Sequence, residues 1–381
     1  MAERIRPGMR VAITAGSRGV ANIAVITRTI VDFVKSLDAV PFIVPAMGSH
    51  GGATAQGQTE ILAGYGITAE TMGCEIRSDM TTVQISSLPD GRPVFMDKNA
   101  FTADGIIVSC RVKPHNAFRH TYESGILKML AVGLGKQQGA QAVHVQGMDK
   151  VGKNVEAFGA CTLEHAPVLF AVAAIENAYD ETARIAVVPK ERVLAEEPLL
   201  LKEAFANMPS LLVGSCDVLI VDEIGKNFSG SGVDPNICGT FSTPYATGGI
   251  RVKRTAMLRL SEVSHGNALG VGLADVISKR LYDAIDPEKM YPNCITSTVL
   301  TTARIPCVVA TDKEAIQLCL RTCNEIDMQN PRIVRIPNSL HIDRIRLSAA
   351  YYNDVLSGKY PNLTALDVPT DMDFSADGAL R

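Results

Sequence analysis

His50 and His115 each follow an aliphatic run and sit in loops rich in glycine or proline: Met47-Gly48-Ser49-His50-Gly51-Gly52 and Arg111-Val112-Lys113-Pro114-His115. Two imidazoles in one cleft suit proton transfer near neutral pH, because their ordinary pKa is about 6.5. The bland alternative is that each caps its loop or donates to a carbonyl. A third loop, Gly16-Ser17-Arg18-Gly19, joins small residues that let a backbone approach an anion to an arginine that can grip a carboxylate or phosphate with two hydrogen bonds. Arg18 is otherwise a solvated loop arginine. Arg111 and Lys113 add positive charge beside His115. Lys128 lies in an apolar stretch, GILKMLAVGLG. There it either snorkels to the surface or points into a site, where desolvation would make it nucleophilic. His144 follows sixteen residues later and is a metal ligand or a core histidine.

Strands must present these loops. Met9–Ala15, Val40–Pro45 and residues 105–109 are short runs rich in branched aliphatics. Between them come helical patterns: Ile23, Ile26, Ile30 and Val34 recur at helical spacing, Thr54 can cap the next helix, and a third is expected over about Glu123–Val132. Strands alternating with helices imply an α/β fold with a mainly parallel sheet. A charged helix near Glu191–Asn207 precedes a second series. That series holds the strand Cys216–Val221, the loop Asp222-Glu223-Ile224-Gly225-Lys226, the strand Ile305–Ala310 and a helix opened by the capping box Thr311-Asp312-Lys313-Glu314. Two domains follow, 1–207 and 208–381, each with a mainly parallel sheet flanked by helices. Ligands of such sheets bind beyond the carboxyl ends of the strands, so the active site is expected in the cleft between the domains. The segment from about 361 is polar and helix-poor, and is expected to wrap a surface or fray. Gly133-Leu134-Gly135 through Gly139 imitates a dinucleotide fingerprint, but its spacing is off by one and it follows a helix.

Composition narrows the function. The net charge of −3 shows no electrostatic footprint for nucleic acid or an anionic membrane. Nine cysteines make no C-x-x-C and read as reduced thiols. With no signal-peptide stretch and no apolar run long enough for a membrane span, the expected location is cytoplasmic.

Taken in order, these pieces resemble the lactate racemase family: a strand leading to Ser17-Arg18, the loop Gly48-x-His50-Gly51-Gly52 opening towards Thr54, Lys113-Pro114-His115, then Lys128-Met129-Leu130 with His144 sixteen residues on. The likeness covers most of the chain and is strongest over Thr14–His144 and Asp222–Gly239. It implies a nickel-pincer nucleotide (pyridinium-3,5-bisthiocarboxylic acid mononucleotide nickel), which holds the metal through one ring carbon and two sulfurs. By analogy Lys128 carries the covalent link to it and His144 supplies the remaining nickel ligand. His50 and His115 become the acid/base pair on opposite sides of a small anionic 2-hydroxy acid. Ser17 and Arg18 fall on the cofactor side and Arg111, Lys113 and Lys226 on the substrate side. Arg18 and Lys226 would grip the cofactor phosphate or the substrate carboxylate. Two departures matter. The stretch from His115 to Lys128 is longer than in lactate racemase and contains His120, an alternative second base; His115 is preferred because it directly follows a strand. The loop at 222–226 also differs, so the expected substrate is not lactate. The implied activity is a racemase or epimerase, and a host unable to make the cofactor would yield empty protein. The other readings are a cofactor-free lyase or hydrolase working through His50 and His115, and a non-catalytic anion-binding protein.

Overall fold

Aliphatic runs form the centre of each of two units, Met1–Met208 and Pro209–Arg381, in the computed structural model, which describes residues 1–381. The first unit contains β1 (Arg10–Ala15), β2 (Val40–Pro45), β3 (Glu75–Ile76), β4 (Thr82–Ser87), β5 (Pro93–Asp97), β6 (Gly105–Arg111), β7 (Val168–Glu176) and β8 (Thr182–Pro189). Its six-stranded sheet has the order β3-β2-β1-β6-β7-β8. All pairings are parallel except that of β7 with β8. Val11, Ile13, Ile43 and Ile107 are fully buried in it, as expected of strands covered on both faces. The helix Ile23–Lys35 lays Ile26, Ile30, Val31 and Val34 on this core. Strands β4 and β5 form a separate antiparallel hairpin.

From β1 the chain winds outward to β2 and β3, then returns to set β6 on the other side of β1. Strand order therefore reverses between β1 and β6, and ligands of open α/β sheets bind beyond the carboxyl ends at such a point. The second unit repeats the device with β9 (Ser215–Ile224), β10 (Arg251–Leu260), β11 (Val276–Ser278), β12 (Cys307–Val309), β13 (Ile333–Ile336) and β14 (Arg346–Leu347). Its order is β12-β11-β10-β9-β13-β14, parallel except for β13 with β14. Here the reversal falls between β9 and β13.

Several elements differ from expectation for local reasons. The helix expected over Glu123–Val132 starts only at Ile126, because Ser124 pairs with Lys113 and Glu123 is used inside a loop. It then widens into a π-helical turn, Met129–Gly133, with Leu134 N–H donating to Met129 O at 2.8 Å. The strand expected over Ile305–Ala310 shrinks to β12, an edge strand next to Pro306, which cannot donate to a ladder. Thr311 does cap its helix, accepting from Glu314 N–H at 3.1 Å, while the Glu314 carboxylate accepts from Ala310 N–H instead of completing the box. The final residues are anchored within the second unit: Phe374 bridges Leu380, which is buried. All nine cysteines are free. No helix is long and apolar enough to cross a membrane.

Candidate active site

The loops at the reversal in the first unit are held by groups from beneath. Thr14 is buried at the end of β1, and its hydroxyl clamps β6 by donating to Ser109 O at 3.0 Å and accepting from Ser109 N–H at 2.9 Å. Ser17 and Arg18 follow. Ser17 Oγ is in hydrogen-bond contact with His50 Nδ1, and Tyr65 O–H donates to the Ser17 carbonyl at 3.1 Å. The His50 loop lies directly on the backbone of the helix Ala55–Gly64. A Cβ on Gly51, whose φ is +66°, would stand 2.6 Å from the Gly57 carbonyl carbon, and one on Gly57 would stand 2.1 Å from Gly51 O. Only glycines permit that approach.

The His115 loop is closed at its base by the Lys113–Ser124 bridge and filled by one buried carboxylate. Glu123 accepts from His115 N–H at 2.6 Å and His120 N–H at 3.2 Å, and lies 3.4 Å from the Arg119 guanidinium. Burial pushes its pKa up, and these donors pull it back. The His115 ring stacks on Phe118 with centroids 4.2 Å apart. Ala117 N–H donates to its Nδ1 at 3.1 Å, so the neutral ring carries its hydrogen on Nε2. Burial and then the charges of Lys128, His144 and Arg119 hold its pKa well below the ordinary value. His120 faces elsewhere, 3.7 Å from Glu156 on the helix Met148–His165. The titration of His115 feels Lys128 and His144.

Lys128 ends a short helix, Ile126–Lys128, that has no side-chain cap of its own. Glu197, from the helix Val193–Asn207, supplies one: its buried carboxylate accepts from Leu127 N–H at 3.0 Å. A Cβ on Gly125 would sit 2.2 Å from Glu197 Oε1, so Gly125 makes room for this contact. Burial, and then Arg18, push the Lys128 amine down to about 8, with Glu123 opposing. Arg18 keeps solvent access, and surrounding protein and the charge of Arg111 lower its own pKa, with Tyr65 opposing. His144 donates from Nδ1 to Ala140 O at 2.7 Å, which leaves the Nε2 lone pair for a metal. Its pKa is lowered by burial and by Lys128, against that hydrogen bond. Arg18, Arg111, His115, Lys128 and His144 thus form one electrostatically coupled group of basic side chains. Arg111 is ion-paired with Glu176, which also accepts from Ala21 N–H at 2.6 Å. Lys113 contributes its backbone at the bridge. Lys226 belongs to the second unit, in the loop after β9, where its ammonium donates to Gly230 O at 2.6 Å.

Local sequence pattern assigns no supporting role to Tyr65, Glu123, Glu176 or Glu197, and their partners lie elsewhere in the fold. Nor does local pattern give the purpose of the false fingerprint: a Cβ on Gly133 would meet Ala46 O at 2.7 Å and one on Gly135 would meet Ala131 O at 2.3 Å, so these glycines serve packing. No group of three or more His, Cys, Asp or Glu side chains is arranged to hold a metal ion. A metal coordinated by His144 would have to bring its other ligands.

No family model matches the chain. No curated protein matches it either. Among solved structures the chain is similar to the lactate racemase apoprotein from Thermoanaerobacterium thermosaccharolyticum, with a TM-score of 0.54, 14% identity, and coverage of 89% of this chain and 87% of that one. The chain therefore has a lactate racemase-like fold.

Proposed function

We propose that the protein is a racemase or epimerase of a small 2-hydroxy acid and works with a nickel-pincer nucleotide. The observation that carries this reading is a half-buried amine, Lys128, whose pKa is lowered to about 8 and which is coupled to Arg18, His115 and a histidine whose Nε2 is left open. The residues fit such a group on the chemistry of the donor set. Lys128 would hold it covalently, because an amine with a pKa of about 8 is nucleophilic near neutral pH. His144 would give the metal its one protein ligand, the softer donors being the cofactor's. Ser17 and Arg18 would hold its phosphate. When bound, the group would supply a reversible acceptor for the α-hydride, which inversion of a weakly acidic carbinol C–H requires.

The chain's own residues do the rest. His50 takes the hydroxyl proton, with Ser17 orienting its ring through Nδ1. His115, neutral, donates a hydrogen bond from Nε2–H to the substrate oxygen, and the proton held on His50 returns to that oxygen when the hydride comes back. For the opposite enantiomer the roles exchange. That requires the His115 hydrogen to move to Nδ1 and the Ala117 contact to break. Arg111 and Lys113 would attract the carboxylate. The substrate class is 2-hydroxy acids other than lactate, and the protein would act in the cytoplasm.

One observation favours a second reading. The Ser17–His50 contact also suits a cofactor-free lyase or hydrolase. A single experiment separates the two. Cofactor-loaded protein is given one enantiomer of each of a panel of α-deuterated 2-hydroxy acids, and the products are resolved by chiral chromatography. Inversion with the deuterium retained supports hydride transfer. Inversion with exchange into water overturns hydride transfer, and elimination or hydrolysis products formed by protein without cofactor support the second reading.

A further inference from the structure

Lys136, Asp97 and Gln58 are fully buried beneath the His50 loop, and the chemistry above uses none of them. The Lys136 ammonium donates to Pro45 O at 2.6 Å and to Gln58 Oε1 at 3.0 Å, and is ion-paired with Asp97 Oδ2 at 3.2 Å. A lysine only donates, so Gln58 must turn its oxygen to Lys136 and its nitrogen away. That nitrogen donates to Gly48 O at 2.9 Å and to His50 O at 3.3 Å. A buried ion pair is thereby connected, through one carboxamide that cannot flip, to two carbonyls of the loop, one of them His50's own. Stability does not ask for this arrangement, because apolar groups of similar volume often serve a core as well as a buried ion pair does. Lys136 also adopts a left-handed backbone, φ 53°, which residues bearing a Cβ rarely take.

We propose that Lys136 and Gln58 are positioning residues for His50: they fix the loop so that Nδ1 meets Ser17 Oγ and the other ring nitrogen is presented to substrate. The proposal rests on the racemase reading only for what His50 then does.

The test uses the full chain without cofactor, carrying 15N-labelled histidine. In this protein Ser17→Ala shifts the His50 ring nitrogens in the NMR spectrum, because their contact is lost. Gln58→Leu is expected to abolish that response and to speed amide exchange over residues 48–52, while the His144 ring signals stay in place. Should the leucine leave Lys136 short of an acceptor and unfold the chain, Gln58→Glu keeps the acceptor and removes the donors, and Lys136→Met with Asp97→Asn removes both charges together. A His50 response to Ser17→Ala that survives in these variants overturns the proposal. Turnover of loaded protein is a separate arm. If His50 transfers the proton, the same variants lower kcat on the order of tenfold to a hundredfold with KM little changed. A disturbed His50 spectrum with unchanged kcat keeps the positioning and removes His50 from catalysis.

Discussion

The two histidine loops of the first unit are held by opposite charges. Beneath the His50 loop a buried cation, Lys136, collects carbonyls, directly at Pro45 and through Gln58 at Gly48 and His50. Inside the His115 loop a buried anion, Glu123, collects amides at His115 and His120. The turn carrying Lys128 follows the second pattern, its Leu127 amide held by Glu197. The difference follows from what each backbone presents. A loop leaving a parallel strand through left-handed glycines turns carbonyls inward and needs a donor. A loop curled into a closed ring, or a helix start, turns N–H groups inward and needs an acceptor.

The largest expected effect concerns Glu197. Burial holds its folded-state pKa at about 7, above the ordinary 4.5. The folded protein binds this proton more tightly than the unfolded chain, so stability falls as pH rises from about 4.5 through about 7 and levels off beyond. Over that window the loss is on the order of 3 kcal/mol. Urea titrations at several pH values should show it, and Glu197→Gln should flatten it. A wild-type profile as flat as the variant's would mean that burial does not raise the Glu197 pKa.

Glu123→Ala comes next, because it strands two inward N–H groups. It should cost roughly 1–3 kcal/mol in total, because both amides left without an acceptor belong to half-buried residues. Hydrogen exchange should quicken over residues 115–120 and stay unchanged over 48–52. Equal quickening in both loops would break the comparison.

Lys128 offers a smaller, sharper reading. Its acylation by a limiting amine-reactive reagent should rise with a midpoint near pH 8, and Arg18→Met should move that midpoint upward. A midpoint at the ordinary lysine value would mean that the amine is solvated. The smallest effect expected is for Arg18→Lys, a roughly tenfold rise in the cofactor concentration needed for half-maximal loading, equivalent to about 1.4 kcal/mol, from loss of the two-pronged grip on the phosphate.

Much of the framework was legible in the sequence. Strands β1, β2, β6 and β9 announce themselves as aliphatic runs, and glycine or proline marks the loops that leave them, because both signals are local. Thr54 and Thr311 cap where expected for the same reason. The buried charges are not legible. Lys136 in GLGKQQG looks like any surface lysine, and its partner Pro45 lies 91 residues away. Glu197 sits in a stretch that reads as a charged, solvated helix, and its capped amide is 70 residues distant. A charge becomes a support only when remote backbone closes over it, and periodicity carries no trace of that. The hairpin β4–β5 and the helix Met148–His165 likewise take their place from packing that no local pattern announces.

The central claim is that Lys128 and His144 receive a nickel-bearing nucleotide. Peptide mass spectrometry on protein from a cofactor-competent host, with nickel quantified on the same sample, tests it most directly. The account predicts a nucleotide-sized increment on the Lys128 peptide and near-stoichiometric nickel that is lost in His144→Ala. An unmodified Lys128 and no nickel, in a host shown to load a lactate racemase, would contradict it.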